Sequence, residues 1–156
     1  MGARGTEARG TGRLSYEVVA RTRAPVDVVW PLVGEARRWK EWAGFTTATL
    51  LREGAPAPDG VGALRRFGVG PVGSQEEVLA WDPPSHLAYG IVKGYPVRGY
   101  RADVRLTSLA DGGTEIRWSG RYDAKVPGTG AVLQAFTRAL MASFARRLVR
   151  HCDRAG

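Results

Sequence analysis

From Leu14 onward, apolar and polar side chains alternate: Leu14, Tyr16, Val18 and Ala20 are interleaved with Ser15, Glu17, Val19 and Arg21. A period of two over this length predicts a strand with one buried face. Ala24-Pro25 breaks the pattern. Pro25 suits the first position of a helix, and Asp27 puts negative charge in its first turn. Val26, Val29, Trp30 and Val33 give that helix an apolar face, and Gly34 ends it. Pro31 is awkward inside it, because it removes a backbone hydrogen bond. A second short helix over 35–42 carries Trp39 and Trp42. Six more strands are predicted at 46–53, 62–68, 73–82, 86–92, 99–109 and 113–123. The breaks hold turn residues: Pro56, Pro58, Gly70-Pro71, Pro83-Pro84, Pro96 and Asp111-Gly112-Gly113. After Gly130 the period changes again. Leu133, Phe136, Leu140, Phe144 and Leu148 recur at three and four residues, the stripe of an amphipathic helix over 130–152. Residues 1–13 are rich in Gly, Arg and Thr and lack any period, so a disordered tail is expected ahead of one domain over 14–152.

This order predicts an α+β architecture: a seven-stranded antiparallel sheet, two short helices after the first strand, and a long C-terminal helix as the only element able to cover the apolar face. Alternation selects the residues that face the helix. They are Tyr16 and Val18; Leu79 and Trp81; Leu87, Tyr89 and Ile91; Tyr100, Val104 and Leu106; and Ile116, Trp118 and Tyr122. From the helix come Phe136, Ala139, Leu140, Ser143 and Phe144. Turns centred on Pro84 and Gly112 pair Trp81 with Leu87, Leu79 with Tyr89, Leu106 with Trp118 and Ala102 with Tyr122, which keeps apolar residues on one face. A hairpin centred on Pro71 sets Arg65 opposite Glu77, both on the inner face.

Composition narrows the function. Hydrophobic residues make up 44% of 156 residues, enough for one substantial core. No apolar run approaches the ~20 residues that span a bilayer, and the N-terminus lacks the apolar core of a signal peptide. Cys152 is the single cysteine. A cytoplasmic location is expected. The use of 20 Arg against 3 Lys points to a GC-rich bacterial source. The net charge of +8 raises the question of nucleic acid or an anionic membrane. Arg21, Arg23, Arg101, Arg105, Arg117 and Arg121 alternate with apolar or small residues, however, and read as the solvated face of a sheet rather than an anion-binding face. His86 and His151 have no partner at metal-ligand spacing, so no metal is expected. No nucleophile elbow, phosphate loop or dinucleotide fingerprint is present, and no cofactor is expected. The remaining polar groups near the apolar wall are Arg65, Glu77, Tyr89, Tyr100 and Tyr122. A guanidinium steadies a developing oxyanion, and a desolvated carboxylate is poised as a base near neutral pH. Arg65, Glu77 and Tyr89 are therefore the catalytic candidates, with a structural Arg–Glu pair as the alternative.

Several segments carry a resemblance. These are Ala24-Pro25-Val26-Asp27-Val28-Val29-Trp30, then Trp42, then Gly60-Val61-Gly62-Ala63-Leu64-Arg65-Arg66. Farther on come Glu77-Val78-Leu79-Ala80-Trp81-Asp82-Pro83-Pro84, Leu87-Ala88-Tyr89 and Gly113-Thr114-Glu115-Ile116-Arg117-Trp118. In this order, over about 14–152, the chain resembles the START-like (SRPBCC) superfamily, in its polyketide cyclase/dehydrase and lipid-transport branch. The resemblance implies a helix-grip fold with a ligand pocket between sheet and helix. It implies binding of a hydrophobic small molecule, polyketide- or lipid-like, in an internal cavity lined by the inward residues above. The alternatives are a cyclase or dehydratase working by enolate stabilisation and proton transfer, or a basic surface module for nucleic acid or protein, of which the nucleic-acid partner is the less expected.

Overall fold

The computed structural model describes residues 12–155. The chain runs β1 (Leu14–Thr22), α1 (Val26–Gly34), a 3-10 helix (Ala36–Glu41), β2 (Thr47–Arg52), β3 (Leu64–Val69), β4 (Val72–Asp82), β5 (His86–Lys93), β6 (Val97–Ser108), β7 (Thr114–Ala124) and α2 (Gly130–Arg154). The strands form one seven-stranded antiparallel sheet in the order β1-β7-β6-β5-β4-β3-β2. β1 and β2 are its two edges, and α1 with the 3-10 helix carries the chain from one to the other. This is the expected α+β architecture, with the long helix laid against the sheet. The disordered-tail expectation for 1–13 lies, up to residue 11, outside the described residues; Arg13 donates its backbone N–H to Asp123 at 3.0 Å.

Pro31 sits inside α1 without ending it. The 3-10 helix is fastened to α1 by two indole donors: Trp39 Nε1 to the Val33 carbonyl and Trp42 Nε1 to the Leu32 carbonyl, each at 2.9 Å. Satisfying the indole N–H lets both large rings be buried. They join Phe45, Phe67, Trp118 and Phe144 in a continuous aromatic cluster under the sheet.

α2 packs chiefly against β1, and also against β7 and α1. Its end is tied down where Thr22 Oγ1 and the Arg23 N–H donate to Asp153 Oδ1, at 2.6 and 3.1 Å. The helix is turned by about one residue from the expected stripe. Leu133, Thr137, Met141, Ala145, Leu148 and Cys152 are buried. Phe136 is 58% exposed and Ala139 is also outside. The buried stripe contains a threonine because Thr137 shares a hydrogen bond with the Tyr95 hydroxyl at 2.6 Å, a contact that hydrophobic periodicity does not report.

Two further corrections concern β4. The β3–β4 turn has two central residues, Gly70 and Pro71, with Gly70 at φ +58° as the first position of a II′ hairpin turn requires. Arg65 therefore pairs with Glu76, not Glu77. A bulge between Val78 and Ala80 then shifts the phase by one, so Val78 opposes Tyr89 while Trp81 still opposes Leu87. Val78 is buried and Leu79 is 41% exposed. Counting back from Trp81 by twos crosses the bulge and puts Leu79 and Glu77 on the wrong face. In the β6–β7 hairpin Leu106 opposes Ile116 and Ala102 opposes Gly120, two residues from the expected pairing but with the same faces.

Candidate functional site

One cross-strand row supplies the floor of the polar cluster: Tyr16 in β1 opposes Gly120 in β7, which opposes Ala102 in β6, which opposes Tyr89 in β5. The two small residues in the middle leave space above the sheet. A Cβ on Gly120 would lie 2.5 Å from the Tyr16 ring, so the glycine lets Tyr16 lie across β7. Tyr16 and Tyr100 share a hydrogen bond between their hydroxyls. Tyr100 and Tyr122 rings lie 5.6 Å apart, and Tyr89 and Tyr100 rings 6.2 Å. The Trp118 indole donates to the Tyr89 hydroxyl at 3.1 Å. The Tyr122 hydroxyl is buried without a protein partner. Burial holds the Tyr16, Tyr89 and Tyr100 phenols above the ordinary tyrosine range, so they stay protonated and able to donate.

Beside this cluster sits Arg65, whose side chain is fully buried. Its Nη2 donates to Glu76 Oε1 at 2.7 Å. The rings of Trp39, Phe67 and Tyr89 surround the guanidinium carbon at 5.1, 5.0 and 4.9 Å, a cation–π cage from three sides. Nε and Nη1 have no protein partner. A buried N–H left unpaired costs about 1–3 kcal/mol, more on a charged group, and this guanidinium has two. Burial raises the Glu76 carboxyl above the ordinary range, with Arg65 offsetting part of that rise.

The expected site residues divide as follows. Arg65, Tyr89, Tyr16, Tyr100, Trp118 and Tyr122 are brought together in this cluster, and Val104 is buried on the same face. Val18, Ile91, Leu140 and Phe144 are half-buried against the core, and Trp81 packs on Trp30 at 5.9 Å with its indole N–H unpartnered. Ser143 opens instead onto a surface groove with Lys40 and Arg147. Leu79, Phe136 and Ala139 face outward, and Glu77 is half exposed beside Arg52 at 3.5 Å. The site residues expected from the sequence do not include Glu76, Trp39 or Phe67. The two-residue reach of Gly70-Pro71 is the signal that finds Glu76. A groove of about 810 Å³ is lined by residues of β1, β6 and β7 with Gln134 and Arg138 of α2, and another of about 450 Å³ lies between the 3-10 helix and the C-terminal half of α2. Aromatic rings line the interval between the sheet and α2. Among the described residues no helix is long and apolar enough to cross a membrane, and no group of three His, Cys, Asp or Glu side chains is placed to hold a metal ion.

The fold has many counterparts among solved structures. A START superfamily protein from Mycobacterium smegmatis superposes with a TM-score of 0.78 at 10% identity, over 92% of this chain and 99% of that one. A protein from Thermobifida fusca is 25% identical at a TM-score of 0.69, covering 88% and 94% of the two chains. A protein from Thermus thermophilus gives 0.69 at 17% identity, covering 91% and 99%. No protein with a curated description matches the sequence significantly. The family model for polyketide cyclase/dehydrase and lipid transport matches residues 13–153. On that match, together with a sheet, helices and topology of the START type, the chain belongs to the polyketide cyclase/dehydrase and lipid-transport family.

Proposed function

We propose that the protein binds a polyketide- or lipid-like small molecule between the sheet and α2, with a carbonyl or enolate oxygen of that molecule on Arg65. Family and fold support the class, since both suggest binding of a hydrophobic ligand or cyclase-like chemistry. The observation that supports the site is the buried guanidinium with Nε and Nη1 unpartnered inside an aromatic cage. Rings supply apolar contact, and the neutral phenols of Tyr16, Tyr89 and Tyr100 supply donors without a charge to desolvate.

A second reading, cyclisation or dehydration through an enolate, is favoured by Glu76. A carboxyl raised by burial next to a guanidinium combines a proton acceptor with an oxyanion stabiliser. Native mass spectrometry of freshly purified protein tests the shared premise. A co-purified small molecule of low polarity is expected, lost in Arg65→Met. Apo protein throughout, with no saturable binding of an environment-sensitive dye, would remove both readings.

A further inference from the structure

The outer face of the sheet carries a second feature, whose lining meets the interior cluster at Tyr16 and Gly120. The larger groove, about 810 Å³, runs over β1, β7 and β6 and reaches the flank of α2. That size lies within the roughly 300–1,000 Å³ of small-molecule sites. Its charged wall is Glu17, Arg101, Asp103, Arg105, Arg121 and Arg138. Both carboxylates are already engaged. Glu17 accepts from Arg117 at 2.6 Å, and Asp103 is hydrogen-bonded to His86 Nε2 at 2.7 Å and to Arg101 at 3.2 Å. Arg105, Arg121 and Arg138 form no ion pair among the described residues. The groove therefore has a surplus of positive charge.

The strand register adds to this surplus. Arg101, paired with Asp103, stands directly opposite Arg121, and Arg117, paired with Glu17 and Glu115, stands directly opposite Arg105. Like charges at directly opposed positions destabilise a sheet. Here they occur in two rows of one strand pair. Arg101 and Arg105 lie about 13 Å apart along β6 at ordinary strand spacing, so the rows present guanidinium groups at two points along one trough. Guanidinium forks match phosphate oxygens and bind them in pairs. We propose that this groove is a binding site for a polyphosphorylated small molecule, whose phosphates lie along Arg121, Arg105 and Arg138. The anion neutralises Arg105, Arg121 and Arg138, whose charges no carboxylate among the described residues offsets. A single phosphate reaches one row, whereas a chain of phosphates spans both.

Inorganic tripolyphosphate is the probe, titrated calorimetrically into the full chain near physiological ionic strength, with melting temperature followed in parallel. Saturable binding at one site and a rise in melting temperature are expected. Arg121→Gln and Arg105→Gln each weaken binding by about tenfold, the loss of a charge-assisted pair. Arg66→Gln, exposed on β3 and outside the groove, changes it by less than about twofold if attraction is local rather than long-range. Without the anion, Arg121→Gln melts at the same temperature or higher, because it removes one of two opposed charges. An equal loss from Arg66→Gln, or no saturation, overturns the site. So does a lower melting temperature for unliganded Arg121→Gln, which would make Arg121 a support of the fold. Tighter binding of a single-stranded oligonucleotide, with affinity spread over every surface arginine, would replace the site with a nucleic-acid surface.

Discussion

Arg65 and Glu76 stand directly opposite each other across the β3–β4 hairpin, and their side chains meet at 2.7 Å inside the core. Among the described residues, each is the other's only ion-pair partner. Removing one partner of a buried pair costs about 3–5 kcal/mol, because the other is left uncompensated. Arg65→Ala is expected to destabilise the protein by that amount in urea unfolding. Arg65→Met with Glu76→Leu is expected to recover most of the loss while abolishing ligand binding. Equal damage from the single and double changes would show that the loss comes from the aromatic cage rather than from the charge.

Glu76 also sets a pH dependence. Burial places its folded pKa above the unfolded value, which is near 4.3. A carboxyl shifted in that direction contributes stability that is full below the unfolded value and is lost as pH rises through the folded one. The wild-type protein should therefore lose stability relative to Glu76→Gln as pH climbs from about 4 towards neutral. Denaturant titrations of both proteins across that range check the slope. A wild-type advantage that grows with pH would mean that the Arg65 charge outweighs burial.

The Tyr16 ring lies where a methyl group on Gly120 would project, 2.5 Å away. Gly120→Ala is expected to cost about 1–3 kcal/mol by overpacking and to break the Tyr16–Tyr100 hydroxyl contact. In a Tyr16→Ala background the same change should be far milder, a coupling that a double-mutant cycle reads directly. Additive effects would place the cost in the backbone instead.

Most strand positions are legible in the sequence because each strand is a run of alternating residues bounded by proline or glycine. The fold class follows from their order and from the single long helical stripe. Parity survives wherever the ladder is regular, which is why it turns Tyr89, Tyr100, Trp118 and Tyr122 to the face they occupy. It fails at Leu79, where one extra residue in β4 shifts the phase, and at Glu77, which is counted from beyond that bulge. A bulge leaves no hydrophobic signature, since the residues on both sides of it still alternate. Phe136 misleads for a different reason. Large apolar residues dominate a helical stripe read by hydropathy, whereas the true seam is chosen by size and by the Tyr95 hydroxyl that Thr137 meets.

The seam of α2 is open to a direct comparison. Phe136→Ser should leave stability within about 0.5 kcal/mol, as for an ordinary surface change. Met141→Ala, at a position only 8% exposed, should cost about 2–5 kcal/mol. Thermal melts of the two variants rank the faces. A larger loss from Phe136→Ser would return the helix to the orientation that hydropathy alone suggests.

The pairing of β1 with β7 joins Leu14 to Tyr122 and Thr22 to Thr114. β1 emerges first among the strands during synthesis, yet its only sheet neighbour emerges last. For the whole interval between them its hydrogen-bonding edge faces solvent, as does that of whichever strand was made most recently. Unpaired edges of this kind recruit strands from other chains, and closing so long a loop slows the search for the right partner. The covering helix follows β7 immediately, so the strand pairing and the burial of the apolar face become possible at nearly the same moment. A ribosome halted before residue 114 would release five consecutive hairpin strands with an unmatched first strand, the species most prone to aggregate.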